Sequence, residues 1–159
     1  MCDSVLTRLQ INDRVTEQLA TRSRHMPGVS KKEKIMEPVL IMKTASSLLA
    51  IAALGGLTMA GIRFGGKPQP PTWLAMLHGF LSAAALTLLL YAYFTVGLPA
   101  LACWALLLFL IAAAGGAYLN LNYHWKMLPL PMALIVGHAG VAVAGFALLL
   151  AATWAAMHP

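Results

Sequence analysis

Residues 73–94 read WLAMLHGFLSAAALTLLLYAYF, 22 residues without one Asp, Glu, Lys or Arg. A helix of that length is about 33 Å long, and the hydrocarbon core of a bilayer is about 30 Å thick. The run therefore predicts a membrane-spanning helix. Three further apolar runs share this character: 44–62, bracketed by Lys43 and Arg63; 98–119; and 130–157, long enough to span with tilt. Trp73, Tyr91, Tyr93, Tyr123, Trp125 and Trp154 fall near the ends of these runs, where amphipathic rings anchor at a membrane interface. The expected fold is all-α, an integral membrane four-helix bundle.

Composition agrees. Of 159 residues, 60% are hydrophobic and 10% charged, with a mean hydropathy of +0.76, whereas about a quarter of a soluble domain is charged. The charge is unevenly placed. All five acidic residues (Asp3, Asp13, Glu17, Glu33, Glu37) precede residue 38, and from there on only Lys43, Arg63, Lys67 and Lys126 carry formal charge. Residues 1–37 read as a polar tail without fixed structure, or as a start-site artefact with Met36 and Met42 as alternative starts. Residues 38–159 form the transmembrane domain. The run Lys31, Lys32, Lys34 is too short for a nucleic-acid surface and suits a juxtamembrane anchor to anionic lipid. With only Cys2 and Cys103 there is no disulfide framework and no CxxC motif. Hydropathy, together with the lack of disulfides and targeting signals, points to a multi-pass protein of a bacterial inner membrane.

A shift of 60 residues aligns the two halves without a gap. Ile51-Ala52-Ala53 falls on Ile111-Ala112-Ala113, Gly55-Gly56 on Gly115-Gly116, Pro71 on Pro131, His78 on His138, and Leu88-Leu89-Leu90 on Leu148-Leu149-Leu150. Leu and Ala matches are cheap in such a composition; the Gly-Gly, Pro and His matches are not. The repeats, 48–94 and 108–154, are each a helical hairpin. They form a tandem parallel repeat about a pseudo-twofold axis along the membrane normal. The connections 63–72 and 120–129 then lie on one side and both termini on the other.

Within the spans only His78 and His138 titrate near neutral pH. An ionisable residue inside a span is a functional hypothesis with its partner to be named. Repeat symmetry names it: the two imidazoles should face each other at one depth across the axis. Such a pair suits axial ligation of a haem iron, with both histidines as metal ligands. Ser82 and Ala85 follow His78 at i+4 and i+7, and Ala142 and Gly145 follow His138. All four are small and leave room for a flat macrocycle. Arg63, Lys67 and Lys126, on the loop side, could receive the propionates. The competing reading makes both histidines structural, bonded to each other or to backbone, with the small residues serving helix packing. A soft-metal reading rests on Met59, Met76 and Met132. His124, whose counterpart is Phe64, reads as an interfacial polar residue.

The placement of His78 and His138 in a four-helix bundle resembles the small membrane-bound b-type cytochromes. The resemblance rests on those two residues and the helix count and covers the second and fourth spans. It departs from the four-histidine, two-haem membrane cytochromes in offering a single pair. It implies one haem b and electron transfer with a quinone or with other membrane or respiratory subunits as partners. The alternative is a non-catalytic assembly or accessory subunit. No GxSxG, HExxH or Walker-type motif occurs, and Gly65-Gly66-Lys67-Pro68 lacks phosphate-loop spacing, so no enzyme chemistry is expected.

Overall fold

The computed structural model describes Glu17, Gln18 and residues 31–158, with backbone alone over 31–37. Most of the expected polar tail, 1–37, lies outside the described residues. The chain divides into two units, Met1–Lys34 and Ile35–Pro159, and the bundle belongs to the second. Its elements are α1 (Lys31–Phe64), α2 (Thr72–Thr95), α3 (Ala100–Leu119) and α4 (Met132–Met157); α3 runs on into a single π turn, Asn120–His124. No strand occurs among the described residues. The stretches Pro38–Phe64, Thr72–Thr95, Ala100–His124 and Met132–Met157 are each long and apolar enough to cross a membrane.

The helix starts have local causes. Pro71, Pro99 and Pro131 stand immediately before α2, α3 and α4 in extended conformation, with ψ of 136°, 153° and 127°. A proline carries no N–H, and its ring blocks helical continuation backward. Its carbonyl remains useful: Leu74 and Ala75 donate to Pro71 O, Ala102 and Cys103 to Pro99 O, and Leu134 and Ile135 to Pro131 O. The α2–α3 turn needs Gly97, whose φ of +82° lets its N–H reach back to Ala92 O at 2.9 Å. The start of α1 departs from expectation. The helix begins at Lys31, not near residue 44, and carries Pro38 inside it. Val39, Leu40, Ile41 and Met42 carry the apolar character on past Lys43, and the Lys, Glu and Met before them are good helix formers in any solvent.

One end of the bundle is tightly packed. Met42 and Ala45 of α1, Ala85 and Leu89 of α2, Ala102 and Ala105 of α3, and Leu149 and Ala152 of α4 are all buried in one cluster, with Leu106 and Phe109 beside them. Most of these side chains are small, so the helix backbones come close. Gly145 shows how close: a Cβ there would stand 3.2 Å from Leu108 Cβ and 3.3 Å from Phe109 Cε1. The outer faces carry Leu54, Leu57, Phe80, Phe94, Trp104, Val143 and Trp154, all exposed. Helices that are apolar on every side belong in a large core or in lipid. Hydroxyls on these helices are hidden locally: Thr44, Ser47, Thr58, Thr87, Thr95 and Thr153 each donate to the carbonyl four residues earlier.

The two longer connections hold each other at the opposite end. Arg63 Nε donates to Leu130 O at 2.9 Å. Gln69 Nε2 donates to Leu128 O at 3.0 Å and Tyr123 O at 3.4 Å. Both connections therefore lie on one side, as the hairpin reading requires.

Candidate functional site: a facing histidine pair

His78 on α2 leans against α1, and its Nδ1–H donates to Ala52 O at 2.7 Å. His138 on α4 leans against α3 and donates to Ala112 O at 2.9 Å. A carbonyl oxygen can only accept, so Nδ1 carries the proton in each neutral ring and Nε2 keeps a lone pair. A bond to a backbone carbonyl is also how metal-bound imidazoles are commonly held: it fixes tautomer and ring orientation and raises basicity at the other nitrogen.

Glycine makes the seat. A Cβ on Gly56 would stand 3.1 Å from His78 Cε1, and one on Gly116 would stand 3.1 Å from His138 Cε1. Both distances are tighter than ordinary contact, so any larger residue would push the ring away. The neighbouring Gly55 and Gly115 also face the histidines, at 3.7 Å. Ala52, Gly55, Gly56 and His78 thus build one feature, and Ala112, Gly115, Gly116 and His138 build its equivalent. The sequence signal, Gly-Gly recurring with His at one spacing, was present; which helix face meets which ring was not.

The two rings meet between the hairpins, with centroids 6.3 Å apart and planes inclined at 72°. Neither is turned outward, away from the other. Both stay partly exposed despite facing inward. Along the same inward faces toward the loops, Gly56, Ala60, Gly116 and Asn120 are also only partly buried.

The other expected site residues separate into two groups. Ser82 and Ala142, one turn beyond the histidines, are partly buried. Ala85 and Gly145, two turns beyond, lie in the packed cluster. Their smallness serves helix approach, and they do not line a slot. Of the loop-side cations, Arg63 is engaged with Leu130 O, Lys126 Nζ donates to Asn122 Oδ1 at 3.3 Å, and Lys67 is exposed. Among the described residues no group of three or more His, Cys, Asp or Glu gathers. A metal caged by protein ligands alone, as zinc demands with about four, has no donor set there.

His124 is only 6% exposed, and its Nδ1 has no hydrogen-bond partner among the described residues. Phe64, the residue 60 positions earlier, is 54% exposed. The π turn, closed by Trp125 N–H donating to Asn120 O at 2.9 Å, marks this end of α3, and no propensity signal announces such a turn.

No family model matches the chain, and no curated protein or solved structure matches it. The function must be argued from the site.

Proposed function

We propose that the chain is a multi-pass protein of a bacterial inner membrane, built from two tandem parallel copies of one helical hairpin. In this reading it binds a single b-type haem between His78 and His138 and serves as an electron-transfer subunit. The observation that carries the reading is the 6.3 Å spacing of two rings whose Nδ1 atoms are both committed to backbone carbonyls. Two nitrogens on opposite sides of one metal ion, at about 2 Å each, place their ring centroids about 6 Å apart. Two ligands alone do not satisfy a transition metal; a macrocycle supplying the equatorial donors makes two axial imidazoles sufficient.

The residues present fit such a group. Gly56 and Gly116 keep the rings in place, while Ser82 and Ala142 leave small surfaces beside them. On the loop side Arg63, Lys67 and Lys126 supply positive charge. When bound, the haem supplies one-electron chemistry. The chain's own work is to orient two imidazoles, raise their basicity through the Ala52 and Ala112 carbonyls, and exclude water with the packed end. From Pro38 onward the chain carries no carboxylate side chain that would repel the acid arms of the porphyrin. The tandem repeat is supported by matching burial: Ala52 and Ala112, Ala85 and Gly145, Leu89 and Leu149, and Ala92 and Ala152 are all buried. Electron partners of the right class are a membrane quinone or other respiratory subunits.

The test is stoichiometry. Protein expressed with ample haem supply and purified in mild detergent should carry one haem per chain by pyridine haemochrome assay. A preparation that stays folded and haem-free, even after titration with haem, would refute the reading and leave a structural accessory subunit.

A further inference from the structure

A buried polar atom without a partner is uncommon and calls for an explanation, often a bound water, ion or ligand. Two such atoms occur among the described residues, Ser46 Oγ and His124 Nδ1. Ser46 is in the packed end, where nothing could reach it. His124 is at the loop end, where the π turn closes α3.

The route from the histidine pair to His124 follows one helix face. Ala112 accepts the His138 bond, Gly116 faces the His138 ring, and Asn120 is four residues further on. Residues at i, i+4 and i+8 share a face. The π turn then ends at His124, which is buried, about 12 Å along the helix from Gly116. The first hairpin has no such features: its corresponding residues are Ala60, which is apolar, and Phe64, which is exposed. The second hairpin alone offers a polar interior face leading upward from its histidine.

The charges at this end favour an anion there. Arg63 from α1, Lys67 from the first connection and Lys126 beside the π turn are cationic, and Tyr118 and Tyr123 are the titratable neighbours on the same element. Yet Arg63 spends its Nε on Leu130 O, Lys126 bonds Asn122, and Lys67 is exposed. None of them is buried. His124 is buried, and its Nδ1 has no partner among the described residues. Resting on the haem reading above, we infer that His124 Nδ1–H is the interior anchor for a porphyrin carboxylate, while the loop cations act through long-range charge. A hydrogen bond to a carboxylate is about twice as strong as a neutral one, more so when buried.

Esterified haem provides the test, because the dimethyl ester keeps the iron and the ring but lacks both carboxylates. Apoprotein would be titrated with haem and with haem dimethyl ester and followed by absorption, in the wild type, His124→Phe and His124→Gln. His124→Phe installs the residue the first hairpin carries at this place. The inference predicts that His124→Phe weakens haem binding about tenfold, leaves ester binding unchanged, and brings the two affinities together. His124→Gln, which keeps a donor, should recover part of the loss. Equal weakening for haem and ester would show a packing role and overturn the inference. No change for either would overturn it as well. Failure of the wild type to bind either ligand would instead refute the haem reading on which it rests.

Discussion

The two ends of the bundle are built from the same helices and yet differ in kind. At the end where the turn at Gly97 joins α2 to α3, Met42, Ala45, Ala85, Leu89, Ala102, Ala105 and Leu149 are fully buried. At the loop end, Gly56, Ala60, Gly116 and Asn120 remain partly exposed, and two imidazoles face each other between the hairpins. Small residues occur at both ends and do opposite work. In the packed end they let backbones approach. At the loop end Gly56 and Gly116 admit a side chain from the neighbouring helix and hold it still. Composition alone does not tell these uses apart; the identity of the facing residue does.

The comparison can be broken most forcefully at the packed end. Leu89→Ala or Leu149→Ala removes a fully buried side chain and should cost about 2–5 kcal/mol of stability. Thermal unfolding in detergent would show it, while the haem-to-protein ratio of the folded fraction stays as in the wild type. A lost ratio would mean that the two ends are not separable. Next in size are Gly56→Ala and Gly116→Ala. Each places a methyl 3.1 Å from an imidazole carbon, an overpacking of about 1–3 kcal/mol. It should appear as at least several-fold weaker haem binding in a titration, with little change in unfolding of the apoprotein. Gly79→Ala and Gly137→Ala, where a Cβ meets nothing within 4 Å, are the matched controls and should bind as the wild type does.

Smaller effects sharpen the picture. Gln69→Leu removes both hydrogen bonds that tie the first connection to Tyr123 and Leu128, worth about 1 kcal/mol between them at an exposed site. Amide exchange should rise over residues 120–128 and stay unchanged over α2. Ser46→Ala should be the mildest. Its buried hydroxyl has no partner among the described residues, so replacing it should leave the melting temperature unchanged or raise it by the equivalent of up to about 1 kcal/mol.

Much of this architecture is legible in the chain. Charge-free apolar runs announce the four helices, Pro71 and Pro131 mark two starts, and the 60-residue recurrence of His78 at His138 anticipates that the rings face each other. What was not legible follows from geometry. Ala85 and Gly145 look like room for a ligand because they share a stripe with the histidines, yet two turns along the helix Ala85 is buried in the packed cluster and Gly145 meets Leu108 and Phe109. The Gly-Gly pairs stand out as recurring residues, but their role depends on the helix beside them, which a linear pattern does not name. His124 is hidden in a different way: its burial accompanies a π turn, and nothing in the residues 120–124 signals one.

The central claim is that His78 and His138 jointly hold one iron. The most direct measurement is the reduced-minus-oxidised absorption spectrum of purified protein, recorded for the wild type, His78→Ala and His138→Ala. The account predicts the bands of a low-spin, bis-imidazole b-type haem in the wild type and their loss in each variant, with all three proteins still folded by circular dichroism. Wild-type bands that survive either substitution, or a flat wild-type spectrum after expression with full haem supply, would contradict it.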